Sequence, residues 1–103
     1  MARSKSKQTG RTEKTNDPEA GRLSLYGYPQ CPFCQTVLRK VDELGIDIEL
    51  RNTMLDPAYR QALVDVRGRG TVPVLRIEDE AGQVEWLPES ADIVEYLHRR
   101  FAR

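Results

Sequence analysis

Cysteine occurs only twice in the 103 residues, histidine and tryptophan once each, and phenylalanine and methionine twice each. The two cysteines stand close together as Cys31 and Cys34, so they cannot form the spread-out disulfide framework of a small secreted domain. The lone histidine, His98, leaves a tetrahedral zinc site without a second pair of soft ligands, and zinc held within one chain is disfavoured. No apolar run approaches the roughly 20 residues needed to cross a bilayer. Net charge is missing too, since sixteen basic and sixteen acidic side chains cancel. That balance argues against a protein built to grip nucleic acid through its phosphates.

What remains is an ordinary composition, 39% hydrophobic and 31% charged, with room for one domain. The first twenty residues carry Arg3, Lys5, Lys7, Arg11 and Lys14 against Glu13, Asp17 and Glu19, with only Met1, Ala2 and Ala20 apolar. Such a stretch buries too little surface to offset its ordering entropy. Residues 1–20 are therefore expected to form a disordered polar tail, and 21–103 the folded domain. No apolar segment of the kind that marks a secretory signal follows the charged start, so the expected compartment is the cytoplasm.

Leu23 to Gly27 reads as a strand, and Tyr28-Pro29-Gln30 as a break. From Pro32 the period changes: Val37, Leu38, Val41 and Leu44 recur at helical spacing, and Gly45 closes the helix. Ile46 to Leu50 alternates as a second strand. Asp56-Pro57 opens a second helix with the stripe Tyr59, Ala62, Leu63 and Val66, ended by Gly68-Arg69-Gly70. Val72 to Ile77 and Val84 to Leu87 read as a hairpin around a loop at 79–83. Ser90 is the expected cap of a last helix with Ile93, Tyr96 or Leu97, and Phe101 inward. The order β-α-β-α-β-β-α predicts an α/β fold, a four-stranded mixed sheet flanked by helices.

Cys31 falls where the first strand gives way to the first helix. Helix-start N–H groups have no intrahelical partner and carry partial positive charge. They stabilise a thiolate, which is the reactive form in disulfide exchange. Cys34, one turn on, is within reach of a mixed disulfide on Cys31 and is expected to lie deeper. Tyr26 and Trp86 read as packing residues, His98 as surface, and Phe33 as exposed between the cysteines.

Cys31-Pro32-Phe33-Cys34 after a Leu-Ser-Leu-Tyr strand, with Thr71-Val72-Pro73 about forty residues on, resembles a glutaredoxin of the thioredoxin fold. The likeness spans Leu23 to the C-terminus. It implies that Pro73 is cis beside the reactive sulfur, and that the Val72 backbone pairs with a glutathione peptide group like an added strand. The stretch from Leu87 to Leu97, with Glu89-Ser90, Ile93 and Tyr96-Leu97, is similar to glutathione transferase N-terminal domains. That similarity implies that the last helix start holds the γ-glutamyl end of glutathione, with Ser90 beside the carboxylate and Glu89 or Asp92 at the ammonium. Arg60 matches the position of the family's contact to the glycine carboxylate, with Arg67 and Arg69 as substitutes. Tyr28 stands where glutaredoxins commonly carry a lysine.

Together these features predict a glutathione-dependent thiol–disulfide oxidoreductase with Cys31 and Cys34 as its catalytic pair. Its partners would be glutathione as co-substrate and glutathionylated or disulfide-containing proteins. No intrinsic cofactor or metal, no nucleic acid and no membrane partner is expected, and the chain is expected to act as a monomer. Three alternatives stay open. They are a glutathione-ligated iron–sulfur carrier, which Pro32 disfavours by stiffening the loop; a glutathione-binding transferase-like module; and a thioredoxin-like protein served by a dedicated reductase.

Overall fold

A computed structural model describes residues 22–102; the tail expected at 1–20 lies outside the described residues. The element order is β1 (Leu23–Gly27), α1 (Pro32–Leu44), β2 (Glu49–Asn52), α2 (Pro57–Arg67), β3 (Val74–Glu78), β4 (Val84–Pro88) and α3 (Ser90–Phe101). The strands lie in the order β2-β1-β3-β4, with β1 and β2 parallel and the other two pairs antiparallel. This is the βαβαββα thioredoxin-like fold.

Alternation along the strands divides the core between the two faces of the sheet. Leu23, Leu25, Leu75 and Ile77 pack with Val37, Ile46, Ile93 and Leu97, and so against α1 and α3. Tyr26 and Val74 point the other way, onto Leu63 and Tyr59 of α2 and onto Trp86. Tyr26 meets Tyr59 and Trp86 edge-on, at 5.8 and 5.2 Å between ring centroids. These are favourable aromatic geometries, and both residues pack as the sequence suggests. All five residues of β1 are buried, as befits a central strand covered on both faces.

Helix ends follow local chemistry. Asp56 caps α2 by accepting the Ala58 N–H at 3.0 Å, with Pro57 behind it. Gly45 adopts φ 70 and ends α1, and the Ile46 N–H reaches back to the Val41 carbonyl at 3.3 Å.

Four expectations need correction. β2 begins at Glu49 rather than Ile46, because Ile46 is consumed in closing α1 and its side chain is buried in the core. β3 begins at Val74 rather than Val72, since Pro73 has no N–H to give to a ladder. Val66 is 52% exposed; the inward stripe of α2 stops at Leu63. Ser90 is the first residue of α3, and the cap position before it belongs to Glu89.

Leu25 is 1% exposed at the centre of the larger core. Leu25→Ala is expected to cost about 2–5 kcal/mol in urea unfolding.

Candidate active site

The end of β1 and the start of α1 place the two sulfurs. The turn between them is held by the Cys31 N–H donating to the Tyr28 carbonyl at 3.2 Å and by Gln35 Nε2 donating to the Pro29 carbonyl at 2.9 Å. Cys31 keeps extended backbone, φ −75 and ψ 123, as the N-cap of α1. Its Sγ accepts the Cys34 N–H at 3.4 Å, so a sulfur fills the role usually taken by an oxygen. The sulfur thus sits at the positive end of the helix dipole. Cys31 is 6% exposed and Cys34 is fully buried, the order of depth expected from the sequence.

Cys34 lies against the last residue of β1. A Cβ built on Gly27 would come within 2.5 Å of Cys34 Sγ, so only glycine leaves room for the inner sulfur. Burial is the main reason the Cys34 thiol is pushed up from 9.0 to about 12. The Cys31 sulfur adds to the rise, and a hydrogen bond from the Tyr28 backbone opposes it. Cys34 is a neutral thiol at physiological pH.

A cavity of about 290 Å³ opens beside this helix start. Five residues expected at a glutathione site line it: Thr71, Val72, Pro73, Glu89 and Ser90. Phe33, two residues beyond Cys31 and 64% exposed, forms the wall on the α1 side. The Val72–Pro73 peptide is cis, as the glutaredoxin likeness implies. Val72 itself stands outside the strand ladders. On the far side, Glu89 holds φ 76 and ψ 119 and makes no side-chain cap. A non-glycine residue in that region is strained, and here it lies against the cavity at the start of α3. The first helical bond, from the Ile93 N–H to the Glu89 carbonyl, is 3.0 Å.

Arg67 and Arg69 complete the rim, and Arg67 Nη1 donates to Thr71 Oγ1 at 3.5 Å. Arg60 and Asp92 are exposed and do not line the cavity. Arg60 instead lies over Gly70, where an added Cβ would meet its Nε at 3.0 Å. Tyr28 is half-buried in the turn before Cys31 and also stands apart from the cavity wall, as do the two cysteines. His98 is exposed on α3.

Two residues escaped the sequence reading. Pro88 joins the wall because it pairs with Val74 beside the proline loop. Gly27 carried a usable signal, since glycine at a strand end often marks close approach by another group.

The glutathione S-transferase N-terminal domain family matches residues 25–103. The chain belongs to that family. It is therefore the likeness carried by the Leu87 to Leu97 stretch, rather than the glutaredoxin likeness, that the family assignment bears out. Solved structures of transferase-family proteins share the fold. A trimeric glutathione transferase from Leishmania is 28% identical, with TM-score 0.65, over 78% of this chain and 18% of its own. Glutathione transferase F7 from Populus trichocarpa is 28% identical, with TM-score 0.60, over 77% of this chain and 36% of its own. Maleylacetoacetate isomerase from Anaeromyxobacter dehalogenans, solved with glutathione in its active site, is 29% identical with TM-score 0.59, over 77% and 37%. This chain thus spans about a third or less of the length of these structures. No curated protein matches it. No helix among the described residues is long and apolar enough to cross a membrane.

Within this transferase-type domain the packing of Cys34 on Gly27 is directly testable. Gly27→Ala is expected to destabilise the fold by about 1–3 kcal/mol through overpacking. Adding Cys34→Ala should recover much of the loss, because the remaining Cβ–Cβ separation of 3.4 Å is an ordinary contact. A double-mutant cycle in urea measures the coupling.

The raised Cys34 value favours the neutral thiol in the folded chain. Its stability contribution is therefore fully present below pH 9.0 and lost as pH rises toward about 12. At neutral pH, iodoacetamide should modify the native chain at Cys31 alone. The Cys34 adduct should form only above pH 9.0 or after unfolding in urea, as read by peptide mass mapping.

Proposed function

We propose that the chain is a glutathione-binding thioredoxin-fold module that carries out thiol–disulfide exchange at Cys31. One observation carries this reading. A sulfur-capped helix start, a cis-proline loop and a second helix start converge at one end of the sheet around a cavity of about 290 Å³. The α3 start suits the γ-glutamyl carboxylate, with Ser90 beside it and Glu89 at the ammonium. The Val72 backbone is free to pair with a peptide group of the ligand. A guanidinium from Arg60, Arg67 or Arg69 matches the glycine carboxylate by its planar fork. Membership of the transferase N-terminal family supports the binding half of the proposal on its own.

The chemistry follows from the two sulfurs. Cys31 thiolate attacks the glutathione sulfur of a mixed disulfide; the old S–S bond breaks, and its electron pair leaves on the released thiolate. A second glutathione thiolate then attacks the bound glutathione sulfur, which yields glutathione disulfide and restores Cys31. Closure by Cys34 instead requires a thiol pushed up to about 12 to ionise. Either thiol can resolve the mixed disulfide: a second glutathione from solution, or Cys34 once it loses its proton.

Reduced protein mixed with a glutathionylated peptide should acquire glutathione on Cys31 and release the peptide thiol. Cys31→Ser should fall to the uncatalysed background, whereas Cys34→Ser should retain turnover with glutathione. Wild-type rates in Cys31→Ser would refute the exchange step. Protection of the fold by reduced glutathione in thermal melts tests binding separately.

A further inference from the structure

Arg60, Arg67 and Arg69 lie within one stretch of α2 and the loop that follows it. Arg67 and Arg69 line the cavity, and Arg60 lies over Gly70 next to them. The ion pairs among the described residues are Lys40–Glu43, Arg51–Glu49 and Arg76–Glu78. Neither the two rim arginines, Arg67 and Arg69, nor Arg60 behind them has a carboxylate partner among the described residues. The one acidic side chain on the cavity wall is Glu89, across from them at the α3 start. Charge is balanced over the whole chain but not at this rim.

This inference rests on the exchange reading above. Glutathione brings two carboxylates and one ammonium. In that reading α3 takes one carboxylate, Glu89 the ammonium and a single arginine the other carboxylate. Two guanidiniums are then left without an anion. The cavity is small, about 290 Å³, so a further anion belongs to the group on the far side of the disulfide. We propose that these arginines select polypeptide substrates with Asp or Glu next to the glutathionylated cysteine. When Cys31 takes glutathione from such a chain, the electron pair leaves on the peptide sulfur, which then gains a proton from solvent. The acidic neighbours meet Arg67 and Arg69, while exposed Phe33 flanks the departing chain. Contacts of this kind act on encounter rate and partner choice more than on bond-making, and salt screens them.

The test uses the full reduced chain and two glutathionylated peptides that differ only in Asp or Lys on either side of the cysteine. Thiol release and the glutathione adduct on Cys31 are both followed. The Asp peptide should react about threefold faster or more at low ionic strength, and the gap should close near about 0.5 M salt. Arg69→Glu should erase or reverse the preference, and Arg67→Gln should reduce it. The salt series on the unaltered chain stands even if a variant fails to fold. Equal rates for the two peptides, a preference for Lys, or an Asp preference unchanged in Arg69→Glu would each overturn the inference and leave the exchange reading intact. Absence of a Cys31 adduct with both peptides would remove the exchange reading, and this inference with it.

Discussion

The seating of one sulfur against a glycine organises the working end of this domain. Cys34 is fully buried, and it can be so only because Gly27 ends β1 without a side chain. That contact brings the first turn of α1 down onto the end of the central strand. The same turn positions Cys31, whose own sulfur then takes the helix-capping place. Burial and chemistry are coupled here. The inner thiol is driven neutral by its surroundings, while the outer one faces unpaired N–H dipoles. Two identical side chains one helical turn apart are thus given different surroundings by position alone.

The second half of the site is made of backbone as much as of side chains. Pro73 stops β3 short of Val72, and Pro88 ends β4 opposite Val74. Both loops therefore leave the sheet at the same end and wall a single cavity. Glu89 turns the chain into α3 through a backbone conformation unfavourable to its residue type, and the cavity lies at that turn.

Much of this was legible in the chain because it depends on near neighbours. The dithiol at a strand–helix junction and the Asp56-Pro57 helix start read correctly from local rules, whereas the cis bond at Pro73 was implied only by the glutaredoxin resemblance. Family membership was legible in the Glu89-Ser90 stretch, although the cysteine motif pointed first to glutaredoxins. The misreadings share a cause. Ile46 alternates like a strand residue, yet closing α1 claims its N–H first. Ser90 has the side chain of a cap, but the turn after β4 hands that position to Glu89. Val66 has the spacing of a core residue, but it stands outside the cluster that Leu63, Tyr59 and Ala62 join on that face.

The sequence by itself determined the order of elements, the helix boundaries set by proline, glycine and aspartate, and the placement of two cysteines one turn apart at a helix start. Those properties arise from interactions within about one helical turn or one strand pair. Tertiary structure alone decided how deep Cys34 lies, which loops share a cavity, and which arginines stand at its rim. Each of these depends on segments tens of residues apart meeting in space, and no local pattern encodes that meeting.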